Sequence, residues 1–436
     1  MPRLDSTGSP SYMAVASALI ADIKMGRLMP GDSLPSQRSL AKELDLSLTT
    51  ITRAFKEAQR RGLIVGHRGR GTFVNSVKRS LTDPETQMHQ ASRIELSRSS
   101  RLDRVVRDVR NRPVRTKRLV DHSQSDDALD AAVSWLRPQL PGIDLDRVIP
   151  FENEGNALIT VLSCLIGNER ELFVETLLSP ALLKIADLIN VRPIPIDIDS
   201  EGLVPEALES AMLRHRCRVL YCSPTFQNPT NTSMSTSRRQ HLASIARQYG
   251  VTIIENGSYD RLASGATPLS SLEPDLCFYS TSLATTTFGA IQGTYVATPT
   301  VSQARRLREI QTGLLLTPDP LALAPVTRAI LDRTLDAMMS EISRDISART
   351  GAARSAIGNS RLRIHAGSPF GWLALGAPLS SEVVCQLNGP MSFVFPEKVF
   401  AVAREHQAFG LRVSFGCFNS TRDLMTALTE LEAAIK

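Results

Sequence analysis

Residues 34–74 read LPSQRSLAKELDLSLTTITRAFKEAQRRGLIVGHRGRGTFV, and three changes of pattern inside this stretch set a small fold. Ser36 is placed to cap a short helix, Gln37 to Leu44, with Leu40, Ala41 and Leu44 on its inward face. Asp45 and Ser47 bracket a tight turn into a longer helix, from Leu48 to Arg61. Upstream, Tyr12, Val15, Ala16, Leu19, Ile20 and Ile23 recur at three- and four-residue steps until Gly26 and Pro30 end the run, which predicts a further helix packed on these two. A helix, a short turn and a second helix is a helix-turn-helix. In the second of them Ile51, Ala54, Phe55 and Ala58 point inward. Thr49, Thr50, Thr52, Arg53 and Lys56 gather on the other side, where hydroxyls and cations can bond phosphates and base edges in a major groove. Beyond Gly62, two short apolar strands flank the tip His67-Arg68-Gly69-Arg70, a basic hairpin able to reach phosphate or the minor groove. Taken alone, that tip also reads as a solvated loop.

The whole chain has 436 residues, 42% hydrophobic and 22% charged, ordinary globular usage that predicts roughly two to four domains. It has no apolar run of the roughly 18 residues that would span a bilayer, and its first residues, MPRLDSTGSPSY, lack the apolar core of a secretion signal. The expectation is a cytoplasmic protein with no membrane partner. Six cysteines, Cys164, Cys217, Cys222, Cys277, Cys385 and Cys417, are scattered without Cys-x-x-Cys or His-x-x-x-His spacing, so neither disulfides nor a metal site are expected. The formal net charge is +6, and residues 1–78 hold twelve Lys and Arg against six Asp and Glu, which leaves the remainder balanced. A small basic module followed by a large neutral one suggests phosphate-backbone binding by the first and another task for the second.

Pro30-Gly31-Asp32, Leu34 to Ala41 and Gly69 to Val74 together resemble the winged helix-turn-helix domain of the GntR family of bacterial transcription regulators, over residues 10–75 without a gap. The resemblance implies that Arg38, the threonines opening the recognition helix and the wing tip contact DNA. The expected surface is Arg38, Thr49, Thr50, Thr52, Arg53, His67, Arg68 and Arg70, with a double-stranded DNA operator as partner. Relatives often place an arginine where Leu48 or Thr52 stands, so no operator sequence is carried over. The domain expected at 1–76 is followed by a Ser- and Arg-rich stretch at 77–119, read as a linker.

From residue 120 onward, apolar runs such as Glu171 to Val174, Arg218 to Tyr221 and Val251 to Ile254 alternate with helical patterns such as Gly155 to Ile166, Pro205 to Leu213 and Ser237 to Tyr249. That alternation predicts an α/β fold, a mostly parallel sheet covered by helices. Polar segments, Ser223 to Asn231, Glu255 to Asp260 and Ser280 to Ser282, follow consecutive strands at the carboxyl edge where open α/β sheets bind ligands. Order and spacing resemble the fold-type-I aminotransferase domain, which behind a GntR head defines the MocR-like regulators. The resemblance covers roughly residues 120–436, with Gly202 to Leu208 and Leu411 to Phe415 as further anchors, and implies a small C-terminal α+β subdomain at about 325–436.

Pyridoxal phosphate chemistry needs an amine for the Schiff base, a carboxylate at the pyridine nitrogen, and cations or backbone amides for the phosphate. The resemblance puts Leu283 at the lysine position, Asn256 at the carboxylate position and Ile291 at the phosphate-pairing arginine, and no lysine occurs between Lys184 and Lys398. The phosphate-cradling turn reads Asn153-Glu154-Gly155-Asn156, with an acid where a dianion would sit. Covalent pyridoxal phosphate is thereby excluded at the usual position, non-covalent binding stays open, and no catalytic residue is expected. In relatives the positions of Asn228 and Tyr259 bond the cofactor hydroxyl, those of Ser280 and Ser282 flank its phosphate, and that of Arg412 grips a substrate carboxylate. A guanidinium beside the sheet takes either an internal acid or a ligand carboxylate. Asn228-Pro229-Thr230 is also a turn in its own right, and packing roles remain open for Tyr259 and both serines. The resemblance implies a homodimeric regulator, not an enzyme, whose large domain senses a small carboxylated effector. Three alternatives stand beside it: non-covalent binding of pyridoxal phosphate or its amino-acid adduct, an active transaminase with a DNA-binding appendage, which the absence of a lysine at position 283 disfavours, and a ligand-free dimerisation scaffold.

Overall fold

The computed structural model describes residues 12, 15–16, 18–19, 33–60, 64–67, 71–74, 107, 126–263, 265, 267–287, 289–357, 361–375, 393–403, 409–418 and 420–435. The linker at 77–119, apart from Arg107, and the wing-tip residues Arg68 and Arg70 lie outside them.

In the N-terminal unit, β1 (Ser33–Leu34), β2 (Ile64–His67) and β3 (Gly71–Val74) form an antiparallel sheet in the order β1-β3-β2. The helix Gln37–Glu43 starts where Ser36 Oγ accepts the Ser39 N–H at 3.1 Å. The helix Leu48–Arg60 starts in the same way, with Thr50 N–H donating to Ser47 Oγ at 3.1 Å. Ser36 Oγ serves an amide of the first turn that has no helical carbonyl behind it, and Ser47 Oγ shares the Thr50 amide with the Ser47 carbonyl, 3.0 Å away. Between the helices Asp45 takes a left-handed conformation, φ 52°, which a short polar side chain tolerates. Val15, Ala16 and Leu19 of the preceding helical turns pack with Leu40, Ile51 and Phe55 in one core. Leu44 closes the first helix and, half-buried, packs against the same core, on the inward side as expected.

In the second unit the strands β4 (Val148–Phe151), β5 (Glu171–Glu175), β6 (Arg192–Ile196), β9 (Val219–Cys222), β10 (Thr252–Asn256), β11 (Cys277–Ser282) and β12 (Thr294–Ala297) make a seven-stranded sheet in the order β4-β12-β11-β10-β9-β5-β6. β12 runs antiparallel to both neighbours and the other pairings are parallel. The strand residues β7 (Ile198–Asp199) and β8 (Gly202–Leu203) form a separate small hairpin. Successive side chains of a strand face opposite sides, and both sides here are apolar. Ile149, Tyr221, Ile254, Phe278 and Val296 pack under the helices Glu154–Leu165 and Val301–Gly313. Leu220, Ile253 and Cys277 face the opposite layer with Leu242 and Ile245 of the helix Thr236–Tyr249. On that side Tyr279 and Tyr295 meet residues of the helices Asp126–Leu136 and Pro320–Leu331.

A second antiparallel sheet, β13 (Leu362–Arg363), β14 (Phe370–Ala374), β15 (Val394–Pro396) and β16 (Gly410–Ser414), has the order β13-β14-β16-β15, with the helices Thr334–Ile357 and Thr421–Ala434 packed on one another beside it. Gly410 is required by close approach, since a Cβ there would lie 1.9 Å from the Trp372 ring. Asn231 ties this sheet to the loop after β9, donating to Phe370 O at 2.7 Å and accepting from His365 N at 3.0 Å. Among the described residues no helix is long and apolar enough to cross a membrane.

At the end of β5, Glu175 is fully buried, accepting from Ser223 N at 3.1 Å and Gln227 Nε2 at 3.4 Å through Oε2 alone. Burial pushes its carboxyl up to about 8 from the ordinary 4.5. A raised folded value means that the fold favours the protonated acid, so stability falls as pH climbs through that window. Glu175→Gln keeps an acceptor for Ser223 and removes the titration. Its melting temperature relative to the parent is expected to rise steadily from pH 4.5 to pH 8, as read by calorimetry across that range. A difference independent of pH would contradict the assignment.

Candidate functional site

On the helix-turn-helix, Arg38, Thr49, Arg53 and Lys56 are exposed, while Thr50 and Thr52 are half-buried. Thr50 Oγ1 lies 2.8 Å from Ser47 Oγ at the start of the recognition helix. Thr52 Oγ1 donates to Gln37 Oε1 at 2.8 Å, a bond that braces one helix against the other. The Arg53 guanidinium lies 5.0 Å from the centre of the Tyr12 ring, within cation–π range, so the first helix sets the direction of this cation. His67 ends β2. Sequence reasoning missed Gln37 and Tyr12 as supports, because neither carries charge and each acts on a residue far along the chain.

The second site forms at the carboxyl ends of β9, β10 and β11. In-register pairing of Asn256 with Ser280 and of Ser282 with Thr294 puts these four polar side chains on the face covered by the helix Glu154–Leu165. That helix is capped by Asn153, whose Oδ1 accepts from Asn156 N at 2.9 Å. The Glu154 side chain therefore turns to the sheet, where it accepts from Asn256 Nδ2 and from Thr285 Oγ1, each at 3.3 Å. Asn256 is engaged on every side: Nδ2 also donates to Tyr221 Oη at 2.9 Å, and Oδ1 accepts from Ser258 N at 3.1 Å. Burial raises the carboxyl of Glu154.

Ser282 caps the short helix Leu283–Thr286 by accepting from Thr285 N, and its own N–H donates to Ser258 Oγ at 3.0 Å. Ser280 is buried on the shared face. Leu283, at 0% exposure, packs into the core with Leu323 and Val326, and its N–H donates to Gly293 O at 2.8 Å. Ile291 is buried in the same cluster, its amide bonded to Thr287 Oγ1 at 3.1 Å. Asn228 is half-buried, with Oδ1 inaccessible and without a hydrogen-bond partner among the described residues.

Arg412 projects from β16 and is 1% exposed. Its Nη1 donates to Ser414 Oγ at 2.8 Å, and its Cζ sits 4.3 Å from the centre of the Phe370 ring. Burial lowers this guanidinium to about 10, opposed by Tyr259 and Cys417 nearby. Tyr259 packs edge-on against Phe370 at 5.7 Å. Its phenol is pushed up to about 12, chiefly by burial, with Arg412 pulling it down and Glu154 pushing it up. Asn256, Tyr259, Ser280, Ser282 and Arg412 thus belong to one polar region, in which Glu154 is a member that sequence reasoning had treated only as an obstacle to phosphate.

Residues 11–74 match the family described as bacterial regulatory proteins, gntR family. The chain is 28% identical over 428 residues, 95% of its length, to the uncharacterized HTH-type transcriptional regulator YdeF of Bacillus subtilis, and covers 92% of that protein. Over 104 residues, 22% of either chain, it is 36% identical to an aromatic amino acid aminotransferase of Schizosaccharomyces pombe. Among solved structures, an archaeal alanine:glyoxylate aminotransferase superposes with TM-score 0.65 at 16% identity, covering 78% of this chain and 88% of that one. A double mutant of Thermus thermophilus aspartate aminotransferase superposes with TM-score 0.63 at 13% identity, covering 88% and 96%. Residues 11–74 are accordingly a GntR-family DNA-binding domain, joined in one chain to a domain of the fold-type-I aminotransferase architecture.

Proposed function

We propose that this DNA-binding regulator works as a homodimer whose aminotransferase-like domain senses a small carboxylated effector and performs no transamination. The observation that carries the reading is Leu283, an apolar side chain packed in the core at the position that the resemblance assigns to the cofactor amine. The remaining residues do not fit pyridoxal phosphate either. Asn256 is neutral and already spends its amide on Glu154 and Tyr221. Ile291 offers no cation, and the Glu154 carboxylate at the helix start would repel a phosphate dianion. Arg412, buried on β16 beside Tyr259 and Phe370, is the group suited to a ligand carboxylate.

Signal transmission follows by population shift. An effector that binds one arrangement of the dimer better than another changes the spacing of the two DNA-binding heads, and hence their fit to paired half-sites. Association is supported by three large leucines in the segment 314–321: Leu315 is 90% exposed, Leu314 48% and Leu321 50%. Apolar side chains so close together and so open suit contact with a second copy.

DNA selected in vitro from the source genome, titrated by fluorescence anisotropy, tests the head. Arg38→Ala and Arg53→Ala are each expected to weaken binding by about tenfold, and the parent's affinity is expected to fall steeply with salt as counterions are released. Retention of parental affinity by both variants would overturn the assigned surface. Sedimentation tests the dimer: Leu315→Asp is expected to shift the protein toward monomer while Arg38→Ala leaves its mass unchanged. A monomeric parent would remove the dimer from the mechanism.

A further inference from the structure

A cavity of about 320 Å3 lies at the amino edge of the seven-stranded sheet, where Cys277 opens β11, Ala297 closes the antiparallel β12 and Arg147 precedes β4. The whole length of β11 separates this edge from Ser282 and the polar groups at the carboxyl edge. Tyr279 and Ala297 are buried and form the floor, while Pro141 and Pro274 are exposed and stand at the rim. The volume is at the small end of the range for small-molecule sites.

The hydrogen bonds of the lining decide what it can take. Ser270 Oγ donates to Glu255 Oε2 at 2.6 Å, Ser271 Oγ to Gln139 O at 2.7 Å, and Tyr279 Oη to Asp260 Oδ2 at 3.0 Å. Thr298 Oγ1 shares its proton between the carbonyls of Arg147, at 3.1 Å, and Thr300, at 3.0 Å. Every hydroxyl proton in the wall is thus spent inside the protein. Arg147 differs: Nε donates to Thr298 O at 2.8 Å and Nη2 to Pro274 O at 3.3 Å, while Nη1 makes no hydrogen bond among the described residues. Two neutral carbonyls fix the direction of this guanidinium and leave its charge uncompensated, and a carboxylate matches its remaining N–H groups.

We propose that this cavity binds a small monocarboxylic acid with a flat apolar body, its carboxylate on Arg147 and its body over Tyr279 between the two prolines. One cation and no free hydroxyl proton suit a ligand that is charged at one end and apolar elsewhere. A sugar or a nucleotide would bury oxygens there without donors to serve them. The site is independent of whatever Arg412 binds.

The test is calorimetric titration of the full-length protein with benzoate, phenylacetate and phenylpropionate, and with the matching amides, which keep the shape and lose the charge. At least one acid is expected to bind, and its amide to bind about tenfold weaker or worse, the scale of losing a charged hydrogen-bond partner. Arg147→Gln is expected to bring the acid down to the level of the amide. Photocrosslinking with an azidobenzoate, mapped by mass spectrometry, is expected to mark residues within 140–147, 270–279 or 297–298. Equal binding of acid and amide would overturn the role of Arg147. Adducts confined to other segments, such as β16 with Arg412, would overturn the location, and silence from all three acids would overturn the proposal. The matched-ligand comparison and the crosslink need no variant, so they decide even if Arg147→Gln fails to fold.

Discussion

A sheet packed on both faces has little room for polar chemistry except at the ends of its strands. Ile253 and Ile254, and Cys277 and Phe278, send their side chains into opposite apolar layers. Only where β10 and β11 emerge do Asn256, Ser280 and Ser282 appear, and the helix Glu154–Leu165 places its first acidic residue over that same edge. Every group discussed for ligand binding in the large domain is positioned by this constraint or, like Arg412, by the adjoining antiparallel sheet.

The loops at that edge are held by buried charge. Glu255 accepts from Leu269 N at 2.9 Å, from Ser270 N at 2.8 Å and from Ser270 Oγ at 2.6 Å, and lies 3.9 Å from Arg239 Nη1. Arg239 in turn donates to Pro224 O and Thr225 Oγ1, both at 2.9 Å, fixing the start of the turn that carries Asn228. Asp260, next to Tyr259, accepts from Tyr279 Oη at 3.0 Å. Paired and hydrogen-bonded in this way, these groups hold two loops in one geometry, which the proposed effector would not have to order.

The helix-turn-helix was legible because its determinants are local: a serine cap, a short turn and a 3.6-residue period within forty residues. The parallel sheet was legible because strands buried on both faces are unbroken apolar runs. The antiparallel direction of β12 was not, since Thr294 to Ala297 is equally apolar in either direction and only its pairing with Ser282 and Phe151 defines it. Nor were the contacts that define the site. Glu154 and Asn256 stand 102 residues apart in sequence, Asn231 and Phe370 139 apart, and no period or spacing connects them. A family pattern marked Glu154 as out of place for phosphate, and only the structure shows that it bonds to Asn256 and Thr285.

The central claim is that an aminotransferase fold has been kept here for recognition, with its cofactor chemistry removed by Leu283, Asn256, Ile291 and Glu154. Its most direct test is the visible and near-ultraviolet absorption of purified protein titrated with pyridoxal phosphate, followed by borohydride reduction and mass analysis. The account predicts no saturable band and no trapped adduct. A saturable band, or a reduced adduct on any residue of the pocket, would contradict it.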